Sequence, residues 1–150
     1  MSSLQSRILV AAVGIPALLY VVLAAPPFVM MAALAILACV GGCELQQCVG
    51  GKDKDKRELV LLSGGYAALT VTWTYQNPEQ LKNILVIEAL VFFAVAIFEG
   101  GKVRFNQIMA GLFADIAIGY SFSAFLRLEA SGLHRAYLLL PFILSFACDT

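Results

Sequence analysis

Charged residues in this chain are confined to short intervals, and long apolar stretches run between them. No charged residue lies between Arg7 and Glu44, a run longer than the roughly 20 residues one helix needs to cross a ~30 Å hydrocarbon layer. Pro26-Pro27 divides that run, because proline has no N–H and restricts the residue before it. The pattern predicts helices over Ile8–Ala25 and Phe28–Cys43, joined by a tight hairpin. Further apolar runs follow at Leu59–Tyr75, Ile84–Phe98 and Ile108–Leu126, and a last one of thirteen residues at Ala136–Cys148. Backbone groups cannot stay unpaired in lipid, so each run is read as helix. The expected fold is all-α: a polytopic transmembrane bundle with five complete spans and a sixth at the C-terminus. The first run outlasts the roughly 7–15 apolar residues of a signal peptide and is followed at once by another, so it reads as an uncleaved span.

Composition supports the same solvent. Of the 150 residues 61% are hydrophobic and 13% charged, with a mean hydropathy of +0.86. That excludes an ordinary soluble globule and a disordered tail. Ten Lys and Arg balance ten Asp and Glu, leaving no basic field for nucleic acid. Four cysteines make no disulfide framework, and none has the spacing of a zinc site. Trp73 and Tyr75 suit an aromatic belt. With the N-terminus inside, the inner segments hold Arg7, Lys52, Lys54, Lys56, Arg57, Lys102 and Arg104, and the outer ones Lys82, Arg127 and Arg135. The positive-inside rule therefore puts the N-terminus in the cytoplasm and Asp149 at the cytoplasmic end of the sixth span. The Lys52–Glu58 stretch alternates in sign and reads as a solvated turn, or as a contact for anionic headgroups. Glu99–Lys102 lacks the spacing of a phosphate loop.

A carboxylate at membrane depth costs at least roughly 2.5–3.5 kcal/mol, so each one needs a reason. Glu44 sits at the end of the second span, either already wetted or part of a site. Glu88, among Ile84, Leu85, Val91 and Phe92, reads as a structural buried acid, with a proton or ion site as the functional alternative. Lys82, more than one turn away and at the interface, is a weak partner for it. Asp115 shares a face with Gly111 and Gly119, small residues that let helices approach. It is read as an interhelical hydrogen-bonding group or the wall of a polar cavity. Asp149 ends the chain's last apolar run in a polar cluster with Ser145, Cys148 and Thr150. Carboxylate and hydroxyl oxygens together can hold a hard cation such as Mg²⁺, although a helix-end Asp is more often merely solvated.

Several fragments then align in order. Gln5-Ser6-Arg7-Ile8-Leu9 with Pro16, Glu44-Leu45 with Gly50, Gly119-Tyr120 to Leu126-Arg127 with Gly132, and Ser145-Phe146-Ala147-Cys148-Asp149-Thr150 together resemble phosphatidate cytidylyltransferases, the CDP-diacylglycerol synthases. The last fragment is similar to the start of that family's Asp-Thr-x-Ala-Tyr-Phe motif. Leu45-Gln46 departs from the more aromatic family pattern, and Cys148 is an uncommon neighbour for the Asp. The resemblance implies an N-terminal transmembrane portion of a larger enzyme in a bacterial inner membrane, with the catalytic C-terminal half absent and this portion inactive alone. The implied reaction joins CTP and phosphatidic acid to give CDP-diacylglycerol and pyrophosphate. Asp149 would be the catalytic and metal-ligating residue, supported by Ser145, Thr150 and Glu44. Mg²⁺ is the implied cofactor, membrane lipid the surroundings, and a homodimer one arrangement the resemblance leaves open. Two other readings stand beside it: a small ion transporter or channel subunit using Glu88 and Asp115, and an assembly protein that binds a partner through its Gly111/Gly119 face.

Overall fold

The computed structural model describes residues 3–50, 57–100, 103–132 and 134–148, some of them, Ser145 and Cys148 included, by backbone alone. Among the described residues every regular element is helical. Helix α1 (Ser3–Leu23) turns into α2 (Pro27–Gly50) through a short connection in which the Ala24 and Ala25 N–H groups both reach the Tyr20 carbonyl, at 2.9 and 3.1 Å. Pro27 is the first residue of α2, where a missing N–H costs nothing. Helix α3 (Arg57–Gln76) is followed by a 3₁₀ turn at Pro78–Gln80 and by α4 (Leu81–Phe98). One continuous rod then runs as α5 (Phe105–Ala114), a π-helical segment at Asp115–Tyr120 and α6 (Ser121–Ala130). A 3₁₀ turn at Arg135–Leu139 leads into α7 (Leu140–Cys148). Gly100 and Gly132 take φ of 61° and 77° just past α4 and α6, the left-handed conformation that ends a helix and that side chains disfavour.

The all-helical, membrane-type expectation holds, but the span count does not. Among the described residues three helices are long and apolar enough to cross a membrane: Pro27–Val49, Pro78–Phe98 and Phe105–Ala130. The apolar part of α1 among the described side chains is the shorter Ala12–Leu23. Helix α3 has 20 residues but carries Ser63, Thr70, Thr72 and Thr74. The expected sixth span is broken, because Arg135–Leu139 winds as 3₁₀ helix and only nine residues remain for α7. At ~1.5 Å per residue, nine residues cover about 14 Å. Pro141 falls in the first turn of α7, where its missing N–H interrupts no helical bond, which suits a new helix beginning there. Helix α2 runs seven residues past the predicted Cys43 end, since a helix that leaves the apolar layer need not unwind in water.

Burial inverts the soluble pattern. The enclosed side chains include Ser63, Thr70, Thr74, Glu88, Gln107 and Asp115, whereas Ile36, Ile87, Leu90, Phe93, Ile97 and Phe98 lie outside. Helix α2 hides every fourth residue, Met30, Leu34, Ala38, Gly42 and Gln46, against the Leu59, Ser63, Ala67, Thr70 and Thr74 face of α3. Gly42 and Gly64 let the two backbones meet. A Cβ on Gly42 would lie 3.0 Å from the Ser63 carbonyl and one on Gly64 2.6 Å from the Cys39 carbonyl. Ser63 Oγ donates to the Gly42 carbonyl at 3.3 Å. Two apolar clusters flank this seam. Val22, Met30, Val71, Leu126 and Leu138 fill the end where α1 turns into α2, and Leu59, Phe92, Val103 and Ile108 fill the opposite end.

Candidate functional site

Asp149 and Thr150, the predicted heart of the site, lie outside the described residues, and Ser145 is placed on α7 by its backbone alone. Glu44 lies exposed on α2. Two residues on, at about 200° around a helix of 3.6 residues per turn, Gln46 points the other way and is enclosed.

Gln46 was not anticipated as a site residue. Its Nε2 donates to the Gln107 carbonyl at 3.0 Å. Gln107, also enclosed, accepts the Arg104 N–H on its Oε1 at 2.9 Å, which caps the start of α5. The pair ties the end of α2 to the beginning of α5. Gln46 Oε1 has no hydrogen-bond partner. The available signal was the four-residue stripe on α2, which ends on a glutamine where an apolar residue would otherwise sit.

The second polar assembly lies deeper. Asp115 opens the π segment, and Glu88 reaches it from the middle of α4. The two carboxyl groups interact directly, Thr70 of α3 lies beside Asp115, and Tyr66 of α3 is near enough to feel the charge of both. Glu88, Asp115 and Thr70 are each 0% exposed. Glu88 and Asp115 are 27 positions apart and on separate elements, so no local spacing pairs them, although the transporter reading drew on both. As expected, Asp115 faces the bundle and Lys82 stays exposed, away from Glu88.

The Gly111/Gly119 face is already taken within the chain. A Cβ on Gly111 would press on the Phe92 ring, and one on Gly119 would lie 3.0 Å from the Ala67 carbonyl. These glycines serve α4 and α3, which removes the surface an assembly partner needs. Cys39 and Cys43 pack against Gly64, and Cys43 Sγ donates to the Val60 carbonyl at 3.3 Å, in keeping with a packing role.

At the other end Tyr120 and Arg127, two members of the sequence pattern, join directly. The guanidinium lies 4.3 Å over the Tyr120 ring, and its Nη1 donates to the phenol oxygen at 3.1 Å. Arg135 donates to the Ala25 carbonyl at 2.6 Å and to Glu129 at 2.8 Å. It thereby pins the α1–α2 turn to the end of α6. His134 Nδ1 accepts the Ala136 N–H at 3.3 Å and caps the 3₁₀ turn. Between α1, α2 and α6 runs a groove of about 420 Å³, lined by apolar residues such as Leu18, Met30, Leu34 and Phe125.

Among the described residues no group of three or more His, Cys, Asp and Glu is placed to hold a metal. No curated protein matches the chain, and no solved structure does. The model of the cytidylyltransferase family matches residues 5–150. With that match over nearly the whole length of a helical, membrane-type bundle, the chain belongs to the cytidylyltransferase family, that of the CDP-diacylglycerol synthases.

Proposed function

We propose that this chain takes part in moving a cytidylyl group from CTP to phosphatidic acid, giving CDP-diacylglycerol and pyrophosphate for phospholipid synthesis. The observation that carries the reading is the family match over residues 5–150, joined to the apolar helices that make this a membrane protein. In the reaction the phosphate of phosphatidic acid attacks the α-phosphorus of CTP, and the α–β bridge breaks to release pyrophosphate. One substrate is lipid-soluble and the other a water-soluble polyanion, so the chemistry belongs at an interface. The distribution of Lys and Arg makes that the cytoplasmic one. Helices α1 and α3 cross the bilayer too on this reading, α3 with its hydroxyl residues turned away from lipid.

Asp149 is the residue this reading assigns to the reacting phosphates, with Thr150, Ser145 and exposed Glu44 in support. Carboxylate and hydroxyl oxygens suit Mg²⁺, and such an ion, when bound, neutralises and aligns two anions that otherwise repel. One carboxylate does not complete a metal site, and the described residues add no cluster to it. Other parts of the enzyme would supply the remaining ligands, and the 150 residues alone are expected to be inactive.

The test is formation of labelled CDP-diacylglycerol from labelled CTP and phosphatidic acid in membranes carrying the enzyme. Asp149→Asn is expected to lower turnover at least about 100-fold, as loss of a metal-bound or phosphate-organising carboxylate does. Unchanged turnover in that variant would remove Asp149 from the chemistry. CDP-diacylglycerol formed by the purified 150 residues would contradict their inactivity.

A further inference from the structure

Glu88 and Asp115 have no task in nucleotidyl transfer as read above, yet they are the most costly residues in the chain. Both are fully enclosed, on helices long and apolar enough to cross a membrane, where each uncompensated charge is expensive. They converge from different elements, α4 and the π segment, and Thr70 of α3 completes the group. None of the four carboxyl oxygens and not the Thr70 hydroxyl makes a hydrogen bond of acceptable distance and angle. Five enclosed oxygens thus meet with no hydrogen-bond partner outside the group.

The described cations are elsewhere. Arg127 lies over Tyr120, Arg135 holds Glu129, and Arg57, Lys82 and Arg104 are exposed. The backbone is also arranged around the pair. The helical ladder changes to π geometry at Asp115 itself, a departure that recurs at functional sites. Gly119 lets the Ala67 backbone of α3 come close beside Asp115: a Cβ there would lie 2.7 Å from Asp115 Oδ1 and 3.0 Å from the Ala67 carbonyl oxygen.

Oxygen-only donors select a hard cation. Two carboxyl groups with no His or Cys, and no third acid among the described residues, do not suit zinc or another transition metal. An alkali ion asks for less ligand charge and accepts hydroxyl and carbonyl oxygens, as intramembrane sodium sites at irregular helix segments do. We propose that Glu88, Asp115 and Thr70 form an intramembrane site for one alkali-metal cation, taken up in exchange for one proton.

The charge balance favours that exchange. Two protonated acids are neutral; when one O–H gives up its proton to water and the cation binds, one carboxylate, one carboxylic acid and one positive ion are again neutral. Among the described residues, Tyr66 of α3 is the other titratable group near enough to feel the charge of the pair. On α2, Cys39 and Cys43 turn to Gly64 instead. This site is independent of the nucleotidyl-transfer reading, and its test uses no nucleotide.

The protein in lipid nanodiscs, weakly buffered with a pH dye, is titrated with sodium, potassium or choline chloride at constant ionic strength. About one proton is released per chain, saturably, by sodium or potassium and not by choline, and the same ion raises the unfolding temperature. Asp115→Asn and Glu88→Gln abolish the release, and Thr70→Val, which keeps the shape, weakens the ion about tenfold. Release that persists in the Glu88→Gln/Asp115→Asn double variant would overturn the site. So would the absence of release from the wild-type protein, which decides the matter even where a variant fails to fold. A response to Mg²⁺ but to neither alkali ion would also overturn it.

Discussion

Helices α3 and α4 are rods of similar length, 20 and 18 residues, that meet their surroundings in opposite ways. Helix α3 turns Ser63, Thr70 and Thr74 inward and lies against α2 closely enough for Gly42 and Gly64 to touch opposing backbone. Helix α4 hides Ile84, Glu88 and Phe92 and presents Val86, Ile87, Leu90, Phe93, Ile97 and Phe98 outward. In lipid no hydrophobic force sorts apolar groups to the inside, so contact between small residues and pairing of polar ones does the sorting. In this molecule polarity and smallness mark the interior, and large apolar residues mark its boundary.

Substitutions at neighbouring positions can break that comparison, and unfolding of the protein in mixed micelles reads each of them. The largest effect belongs to Gly64→Val. Its Cβ alone would press on Cys39 and Cys43, and the change should cost about 3 kcal/mol or prevent folding, as overpacking does. Gly65 has nothing within 4 Å of its Cβ position, so Gly65→Ala should be neutral or gain up to about 1 kcal/mol through helix propensity. Equal effects at 64 and 65 would mean that α2 and α3 do not meet there.

Gly111→Ala comes next, at about 2 kcal/mol, because the new Cβ meets the enclosed Phe92 ring. It tests whether α4 is anchored at that point. Gln46→Ala should cost about 1 kcal/mol by removing the bond to the Gln107 carbonyl. Arg135→Ala, which loses a partly exposed pair and the Ala25 contact, should cost about 1 kcal/mol or less. The smallest effect is expected for Leu90→Ala on the outer face of α4, close to zero in lipid because lipid replaces the lost contacts. A loss as large as that at Gly64 would show that this face packs on protein.

Helix class was legible from the sequence because charge-free runs and the Pro26-Pro27 pair are local signals. The inward direction of Asp115 was legible from Gly111 and Gly119 at one helical turn on either side. Helix ends were less so: Glu44 and Gln46 stopped the predicted second span at Cys43, although polar residues do not end a helix that has reached water. The π segment has no local sequence marker of its own, and the meeting of Glu88 with Asp115 depends on how α4 docks. Thr70 and Gln46 were passed over because a lone hydroxyl or amide in an apolar run looks tolerable until burial shows what surrounds it. Asp149, Thr150 and most of the Lys52–Glu58 stretch lie outside the described residues, so the expectations there rest on the motif and on charge.

The functional account depends on which side of the membrane receives the end of α2, because nucleotide is met in the cytoplasm. Cys48 is exposed near that end, while Cys39 and Cys43 face α3. In a Cys148→Ala background, a membrane-impermeant maleimide should label Cys48 in inverted vesicles and leave it untouched in right-side-out ones. Labelling from the outer side alone would reverse the bundle and place the proposed chemistry where no CTP reaches it.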